Sequence, residues 1–398
     1  MTTIAAIQGL RGTGQFGTDE RPTNYRQLFT MLEPNGDAPL NALLSMGASE
    51  STDDPKYNNF RDELPDRRFA INNGAGYNAT ATTLQLDTGS EVGFVVAGTV
   101  IVNANTGEVM HATANGDTAL DQITVTRNIG GGALTITDND VLFVAGHAAQ
   151  EGASAPTAMS WDPTVAFNYT QIFRQAVNVT NTQKSTYLRT GDKEQEQLEK
   201  GLKLHVADME RAMFFGRRHI LNGSTAQPTR FTGGIFTQIS QVTDAATAFT
   251  TANTITEDEF DRFLIETVFK YGSKEKIAFV GPRVAGHMMA FGKNRWQPES
   301  VQGGTYGVSF VRYQTTAGTL LMHLHPQFRQ LPAYDNAMAI IDFPYLKYRY
   351  LEDRDTSLLE NRQGNSEDQV LHEYLTECGL ELLQDRVHTW ISNWQLIS

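Results

Sequence analysis

Residues 192–216, DKEQEQLEKGLKLHVADMERAMFFG, contain the strongest helix signal in the chain, and the other segments are best interpreted around them. Asp192 followed by Gln195 resembles a capping box, and Gly216 stands where a helix terminator belongs. Apolar residues recur at helical spacing along one stripe, which consists of Leu198, Leu202, Val206, Met209 and Met213. We therefore predict one helix over 192–215, about 36 Å long at a rise of roughly 1.5 Å per residue, that crosses the middle of the molecule.

Residues 1–56 have the texture of an arm rather than a domain, because glycines interrupt them and their apolar clusters are short. Their best local element is a helix over 38–46, in which Asp37 can cap the first turn and Pro39 suits it. Its apolar face consists of Leu40, Leu43 and Leu44. So small a face cannot form a core alone, so the segment must dock either on the body of its own chain or on a neighbour.

A run of β-prone segments lies between two polar, extended stretches. Residues 57–88 and 154–190 have a similar extended texture, which predicts that they pair as a long two-stranded loop. Between them, residues 89–150 alternate short apolar runs with turn signals such as Asn115-Gly116. This pattern is typical of a small antiparallel barrel or sandwich. The sequence thus predicts a small β unit inserted in an extended loop.

An α/β pattern follows the long helix. Thr256 with Glu259 predicts a second capping box, and a further helix is predicted over 282–291. The C-terminal segment 370–385 has apolar residues at helical spacing, but it also fits a strand that turns at Gly379. The other predicted strands are 277–280, 307–313, 319–325, 337–341 and 345–351.

The composition excludes several functional classes. The 398 residues include 45 acidic and 32 basic side chains, and the net charge of −13 argues against a general nucleic-acid binder. Cys378 is the only cysteine, so an internal disulfide and a thiolate-rich metal site are both excluded. The sequence has neither an apolar run of the roughly 20 residues that span a bilayer nor the features of a signal peptide over residues 1–10. We expect a protein without membrane contact, made in a reducing cytoplasm.

His323-Leu-His325 is the best candidate for a metal site, because alternate residues of a strand place two imidazoles on one face. A third ligand and a water-activating carboxylate cannot be assigned, and Pro326 ends the strand beside the pair. Strand histidines without an evident third ligand usually have packing or surface roles. We therefore prefer a structural role for both histidines.

The remaining motifs have ordinary structural interpretations. Asp138-Asn-Asp140 fits a turn better than a calcium loop, and the glycines at 130–132 lack the Lys and Ser/Thr of a phosphate loop. Glu352-Asp-Arg-Asp355 fits a solvated or intersubunit charged face, and Cys378 has no obvious nearby base. The arm is locally basic because it contains Arg11, Arg21 and Arg26. This charge fits contact with nucleic acid or an acidic neighbour, and it fits exposed solubilising charge equally well. We predict no catalytic residue, no cofactor and no metal ligand.

The order of the parts is more specific than any one motif. It runs from arm to extended loop, small β unit, returning strand, long helix, α/β unit and final return segment. The short segments that mark this order are DELP (62–65), GTVIV (98–102), TGEVM (106–110), TVTR (124–127), EG (151–152), TQIFR (170–174), FG (215–216) and TGGI (232–235). In this order they resemble the major capsid proteins of tailed double-stranded DNA bacteriophages, and more narrowly a branch with a small β insertion in the extended loop.

The resemblance implies an α+β fold of the Hong Kong ninety-seven type, in which the extended loop lies over a neighbouring subunit. It implies strands at the C-terminus, and we side with strands there because Gly379 interrupts the alternative helix. The implied parts are an N-terminal arm (1–56), an extended loop (57–88 and 154–190), an inserted small β-barrel domain (89–150), a peripheral domain with the long helix as its spine (191–235 and 342–398) and an axial domain (236–341).

The implied function is structural and not enzymatic: hexamers and pentamers that join into an icosahedral shell enclosing double-stranded DNA. The implied partners are further copies of the chain, a portal protein, a separate scaffolding protein and a decoration protein. Contact with the packaged DNA is expected to be weak and non-specific, in a virion assembled in the bacterial host cytoplasm. The alternatives are an encapsulin-like compartment shell and, from another class, a metal-dependent hydrolase that uses His323 and His325.

Overall fold

The computed structural model describes residues 38–40, 44, 49–87, 92–186, 192–249, 255–291 and 310–394. The architecture is mixed α+β, and the chain divides into two compact units. The larger unit comprises Met1–Asn59 and Ala166–Ser398, and the smaller unit, the insert, comprises Phe60–Val165. The insert is therefore a continuous stretch of chain, whereas the larger unit is assembled from two separate stretches.

The described strands and helices follow in chain order. The strands are β1 Ser49–Thr52, β2 Lys56–Arg61, β3 Arg68–Ala70, β4 Thr83–Gln85, β5 Thr99–Asn103, β6 Val109–Ala112, β7 Gln122–Thr126, β8 Val141–His147, β9 Thr164–Tyr169, β10 Gln171–Thr180, β11 His219–Leu221, β12 Thr229–Phe231, β13 Gln241–Asp244, β14 Glu275–Val280, β15 Val311–Gln314, β16 Thr319–Leu324, β17 Met338–Ile341, β18 Leu346–Leu351, β19 Ser357–Leu359, β20 Gln369–Leu382 and β21 Thr389–Ser392. The helices whose bounds are fully described are α1 Asn181–Ser185, α2 Lys193–Phe215, α3 Ile235–Gln238, α4 Ala245–Ala248, α5 Glu257–Glu266 and α6 Pro282–Phe291. Across these ranges, no helix is both long enough and apolar enough to span a membrane.

Helix α2 packs on the first sheet of the larger unit. That sheet has the order β1-β18-β20-β10, and β19 also pairs with β20. A Cβ atom added at Gly201 would lie 2.7 Å from Cγ2 of Val177, so the glycine lets the helix approach β10 closely. Asp192 caps the helix by accepting a hydrogen bond from the Glu194 amide, and Gly216 follows its last turn. The predicted long helix is confirmed, although the capping box with Gln195 does not form.

The C-terminal segment is a strand. β20 is the central strand of the first sheet and pairs antiparallel with β10 over ten residues and with β18 over five. Its residues are buried on both faces from His372 onward, apart from Leu375. A strand buried on both faces has no clean two-residue alternation, which is why the sequence also matched a helical stripe. The strand interpretation is confirmed and the helical one is wrong.

The second sheet of the larger unit has the order β13-β21-β17-β14-β16-β15 and packs against α5 and α6. The predicted capping box of Thr256 and Glu259 is present at the start of α5. β21 pairs with β13 and β17, and Ile391 and Trp394 are buried in this sheet's core. The prediction from the sequence places residues 342–398 in the domain of the long helix. The last strand, β21, belongs instead to the second sheet.

The insert contains a six-stranded antiparallel sheet with the order β3-β8-β5-β6-β7-β4. A bridge between Ile71 and Leu86 joins the two ends of this order, and Asn72 N–H donates to Gln85 O at 3.0 Å. The predicted extended loop over 57–88 is wrong for 68–87, because alternate apolar residues there enter the core of the insert. They are Phe69, Ile71, Leu84 and Leu86.

Strands β2 and β9 form a separate two-stranded ribbon, through which the chain enters and leaves the insert. Thr170 N–H donates to Pro55 O at 2.9 Å at one end of the ribbon, and Thr164 Oγ1 donates to Arg61 O at 3.3 Å at the other. The predicted pairing of the two extended segments is therefore confirmed for these residues.

Candidate functional site

Large apolar side chains are exposed along the ribbon and the segments that continue from it. Phe60 is 75% exposed, Leu64 is 86% exposed and Val165 is 58% exposed. Nearby, the Trp161 indole N–H donates to Asp62 at 2.9 Å, and its half-exposed ring packs edge-on against Phe94. We call Phe60, Leu64, Trp161 and Val165 the ribbon surface. Exposed apolar side chains concentrated in an otherwise polar segment are typical of a protein interaction site.

A basic hairpin follows helix α2. Residues 216–232 contain three arginines and no acidic residue, although the whole chain has a net charge of −13. Arg218 lies 4.0 Å above the Phe167 ring and donates to the Phe167 carbonyl, whereas Arg217 and Arg230 form no ion pair within the described ranges. The sequence predictions do not include this hairpin. The signal that could have found it is the absence of acidic residues over 216–232 together with the adjacent pair Arg217-Arg218.

Three glutamates of β20 fasten neighbouring segments to the central strand. Glu377 pairs with Arg354 at 2.6 Å, Glu381 pairs with Arg349 at 2.5 Å, and Glu373 pairs with Arg174. In the predicted charged face at 352–355, Arg354 is thus partly exposed and pairs with a buried glutamate of its own subunit. Asp355, from the same segment, accepts a hydrogen bond from the Tyr348 hydroxyl at 3.0 Å. This charge run supports the subunit's own sheet.

Two buried polar clusters close turns in the insert. Arg127 donates to both carboxylate oxygens of Glu108, at 2.9 and 2.5 Å, and to the Asn78 carbonyl at 2.7 Å. Burial alone would raise the pKa of Glu108, but Arg127 together with the backbone amides of Leu134 and Asn128 outweighs burial, and the net shift is downward. The glycines at 130–132, for which the sequence favoured a hairpin turn, lie in a bend between β7 and β8. These two strands pair with other strands and not with each other, so the predicted hairpin is wrong.

Asp140 forms the second cluster, which occupies the predicted turn at 138–140. Its carboxylate accepts hydrogen bonds from Asn103 at 3.0 Å, Asn105 at 2.5 Å and the Thr137 amide at 3.0 Å. Burial would raise the pKa of Asp140, but these donors lower it to about 2. All four residues belong to the insert, so the cluster serves the fold and does not form a calcium loop.

The two candidate metal-binding histidines have different surroundings. His323 lies on β16, whereas His325 lies beyond the end of the strand. His325 Nδ1 accepts the Gln327 amide hydrogen at 3.3 Å, and Nε2 lies 3.0 Å from Oε1 of Glu210. Both ring nitrogens of His325 are thus engaged by protein groups. Within the described part of the chain, no three His, Cys, Asp or Glu side chains are grouped so that they could hold a metal ion.

The other candidates are buried or lie elsewhere. Burial raises the pKa of the Cys378 thiol to about 12, which makes it a poor nucleophile. In the predicted arm helix, Pro39, Leu40 and Leu44 are helical, and both leucines are fully buried. The basic arm residues lie outside the described residues: Arg11, Arg21 and Arg26.

Comparison with known proteins assigns the chain to a class. It is 28% identical over 348 residues to the major capsid protein of Pseudomonas phage PaMx41, which covers 84% of this chain and 80% of that protein. The family of the SU10 major capsid protein matches residues 11–395. The chain is therefore a structural protein of a bacteriophage capsid and not an enzyme. It belongs to the SU10 major capsid protein family.

Solved capsid structures are similar to this chain at low sequence identity. The capsid of an empty GTA particle has 10% identity and a TM-score of 0.48, with 94% of this chain and 95% of that chain covered. The holo-SrpI encapsulin complex from Synechococcus elongatus PCC 7942 has 12% identity and a TM-score of 0.40, with 60% and 78% covered. The family assignment rests on the sequence matches, which favour a phage capsid over a compartment shell or a hydrolase.

Proposed function

We propose that the chain assembles as hexamers and pentamers into an icosahedral shell that encloses double-stranded DNA. The observation that supports this most directly is the ribbon surface. Phe60 and Val165 lie on the two strands of the ribbon, whose backbones pair with each other, yet both side chains are exposed. Burying such side chains against a second copy is favourable by about 25 cal/mol per Å². Many weak contacts of this kind, repeated by symmetry, give a stable shell.

The proposed division of labour follows the elements of the fold. Helix α2 serves as the spine of a peripheral domain together with the first sheet, and the second sheet with α5 and α6 serves as the axial domain. The ribbon is the stem of the extended loop, and the insert is a small barrel, which the bridge between Ile71 and Leu86 supports. Residues 1–56 form the arm. In this layout β21 belongs to the axial domain, because it pairs with β13 and β17.

We also propose a set of partners and a place of assembly. The shell would recruit a portal protein, a separate scaffolding protein and a decoration protein, and would assemble in the cytoplasm of the bacterial host. The net charge of −13 supports only weak, non-specific contact with packaged DNA, because a strong binder needs a basic face that displaces counterions.

The test combines assembly with folding. We expect the purified wild-type chain to form capsomers or shells, measured by sedimentation velocity and electron microscopy. The double variant Phe60→Ser/Val165→Ser should remain folded by circular dichroism and fail to assemble. Leu120→Ser is a matched control, because Leu120 lies in the same unit and is 57% exposed.

Two results would contradict the proposal at different points. A wild-type chain that stays a stable monomer under all assembly conditions would remove the shell function. Normal shells from the double variant would leave the shell function intact and would exclude the ribbon surface as its contact.

A further inference from the structure

Glu210 is a fully buried carboxylate on the inner face of helix α2. Its Oε1 atom lies 2.9 Å from the amide nitrogen of Leu40, which donates to it, and 3.0 Å from Nε2 of His325. These partners lie 170 and 115 residues away in sequence. One oxygen atom therefore connects the arm, the long helix and the segment that follows β16.

His325 fixes the orientation of this carboxylate. Because Nδ1 accepts the Gln327 amide hydrogen at 3.3 Å, the ring hydrogen of the neutral imidazole is on Nε2 and is donated to Glu210. Phe214 and Phe328 each place their ring centre 4.6 Å from that of the imidazole. The histidine is held by aromatic packing, and Glu210 is held by the histidine.

The arm donates a second hydrogen bond to the same oxygen atom. Pro39 and Leu40 are the first helical residues of the arm among those described, and amide groups in a first helical turn have no partner within their own helix. The Leu40 amide is satisfied by Glu210 instead. Leu40 and Leu44 are fully buried in one cluster with Met213 and Phe214 of α2. Apolar burial thus provides the affinity, and Glu210 fixes the register.

We infer that Glu210 is the positioning residue that docks the arm on the body of its own subunit. The contact joins segments of one chain, and the inference does not rest on the proposed shell. It decides between the two possibilities that the sequence left open for this segment, the chain's own body or a neighbour, for residues 38–40 and 44. Any rearrangement that moves α2 away from the end of β16 must also disturb the arm.

The test is hydrogen exchange at Leu40 in the full-length, unassembled chain. Glu210→Gln keeps Oε1 as an acceptor, so we expect exchange within about threefold of wild type. Glu210→Leu has no acceptor and leaves two buried donors unsatisfied, so exchange at Leu40 should rise about tenfold or more, with little change in β20. Glu199→Leu is the matched control, because Glu199 is an exposed carboxylate on the same helix.

Several outcomes would overturn the inference. The first is an exchange rate at Leu40 in Glu210→Leu that equals the wild-type rate. The second is an equal rise of that rate in the Gln and Leu variants, and the third is a uniform rise of exchange that includes β20. If Glu210→Leu does not fold, Leu40→Pro and Leu40→Ala replace it. Both remove the leucine side chain but only proline removes the amide hydrogen, so faster exchange at Leu44 in Leu40→Pro than in Leu40→Ala supports the inference. Equal exchange in the two variants overturns it.

Discussion

The insert and the larger unit differ in how far apart in sequence their buried charged groups and the partners of these groups lie. In the insert, Arg127 and Glu108 are 19 residues apart, and Asp140 lies 37 residues from Asn103, so buried charges close neighbouring turns. In the larger unit, Glu210 reaches Leu40 across 170 residues, and Glu373 pairs with Arg174 across 199 residues. The insert can therefore complete its polar contacts within one continuous stretch, whereas some buried contacts of the larger unit, such as that of Glu210 with Leu40, form only after distant segments have met. We expect the insert to form first and to unfold as an independent unit.

The largest expected effect is loss of the insert in Arg127→Met. Removing the guanidinium leaves Glu108 buried without its charge partner, which typically costs about 3–5 kcal/mol. Hydrogen exchange should accelerate throughout the insert and remain unchanged in β20. Arg68→Met is the control, because the Arg68–Asp66 pair is exposed and should contribute less than about 1 kcal/mol. Loss of β20 protection together with the insert would contradict the independence of the two units.

Lys276→Met should give the opposite pattern. The buried ammonium group donates to the carbonyl oxygens of Val268, Tyr271 and Val387, at 2.7, 2.9 and 2.7 Å. Burial lowers the pKa of Lys276 to about 8, so the group is still mostly protonated at neutral pH. Methionine keeps the stem and leaves three carbonyls without this donor, at a cost of about 3 kcal/mol. Thermal unfolding of the larger unit should shift down while the insert keeps its transition.

Asp140 should make the insert sensitive to acid. Its pKa is depressed in the folded state, from 3.8 to about 2, so its stabilisation is fully present above pH 4 and is lost as the pH falls towards 2. The shift corresponds to about 2 kcal/mol. Asp140→Asn should lose that stability at pH 7 and flatten the unfolding profile between pH 4 and pH 2. An unchanged acid profile in the variant would show that another carboxylate controls this window.

The smallest effect is expected for Arg174→Met. Arg174 is 60% exposed, so water screens its pair with Glu373, and Arg362 lies 3.9 Å from the same carboxylate. We expect a loss of about 1 kcal/mol or less, measured by denaturant unfolding. The double variant Arg174→Met/Arg362→Met should exceed the sum of the single effects, because only then does Glu373 lose both partners. Simple additivity would mean that the two arginines act independently.

Local signals predicted the elements, whereas distant contacts decided the exceptions. The helix over 192–215 and the capping box at Thr256 depend on neighbouring residues, and both are present. The inner face of α2 was predicted less well, because it includes the polar residues His205 and Glu210, whereas Leu202 is partly exposed. A polar residue belongs on a buried face only when its partner comes from elsewhere in the chain, and no local pattern reports that partner.

The candidate site shows the same limit. The apolar residues of 68–87 are isolated among polar ones in the sequence. They enter the core of the insert only because β3 pairs with β8 and β4 pairs with β7. The ribbon surface was predicted only as an extended segment. Its pairing followed from the similar texture of the two stretches, but the exposure of Phe60 and Val165 depends on what the rest of the fold leaves uncovered.

The ribbon of β2 and β9 has a consequence for how such a chain can change its size. Because the strands that lead into and out of the insert are hydrogen-bonded neighbours, residues beyond them can lengthen, shorten or be exchanged while the paired ends stay in register. Any module with adjacent termini meets that requirement. The ribbon is therefore a position at which a different domain can be inserted, by evolution or by design, without altering the strands that flank it.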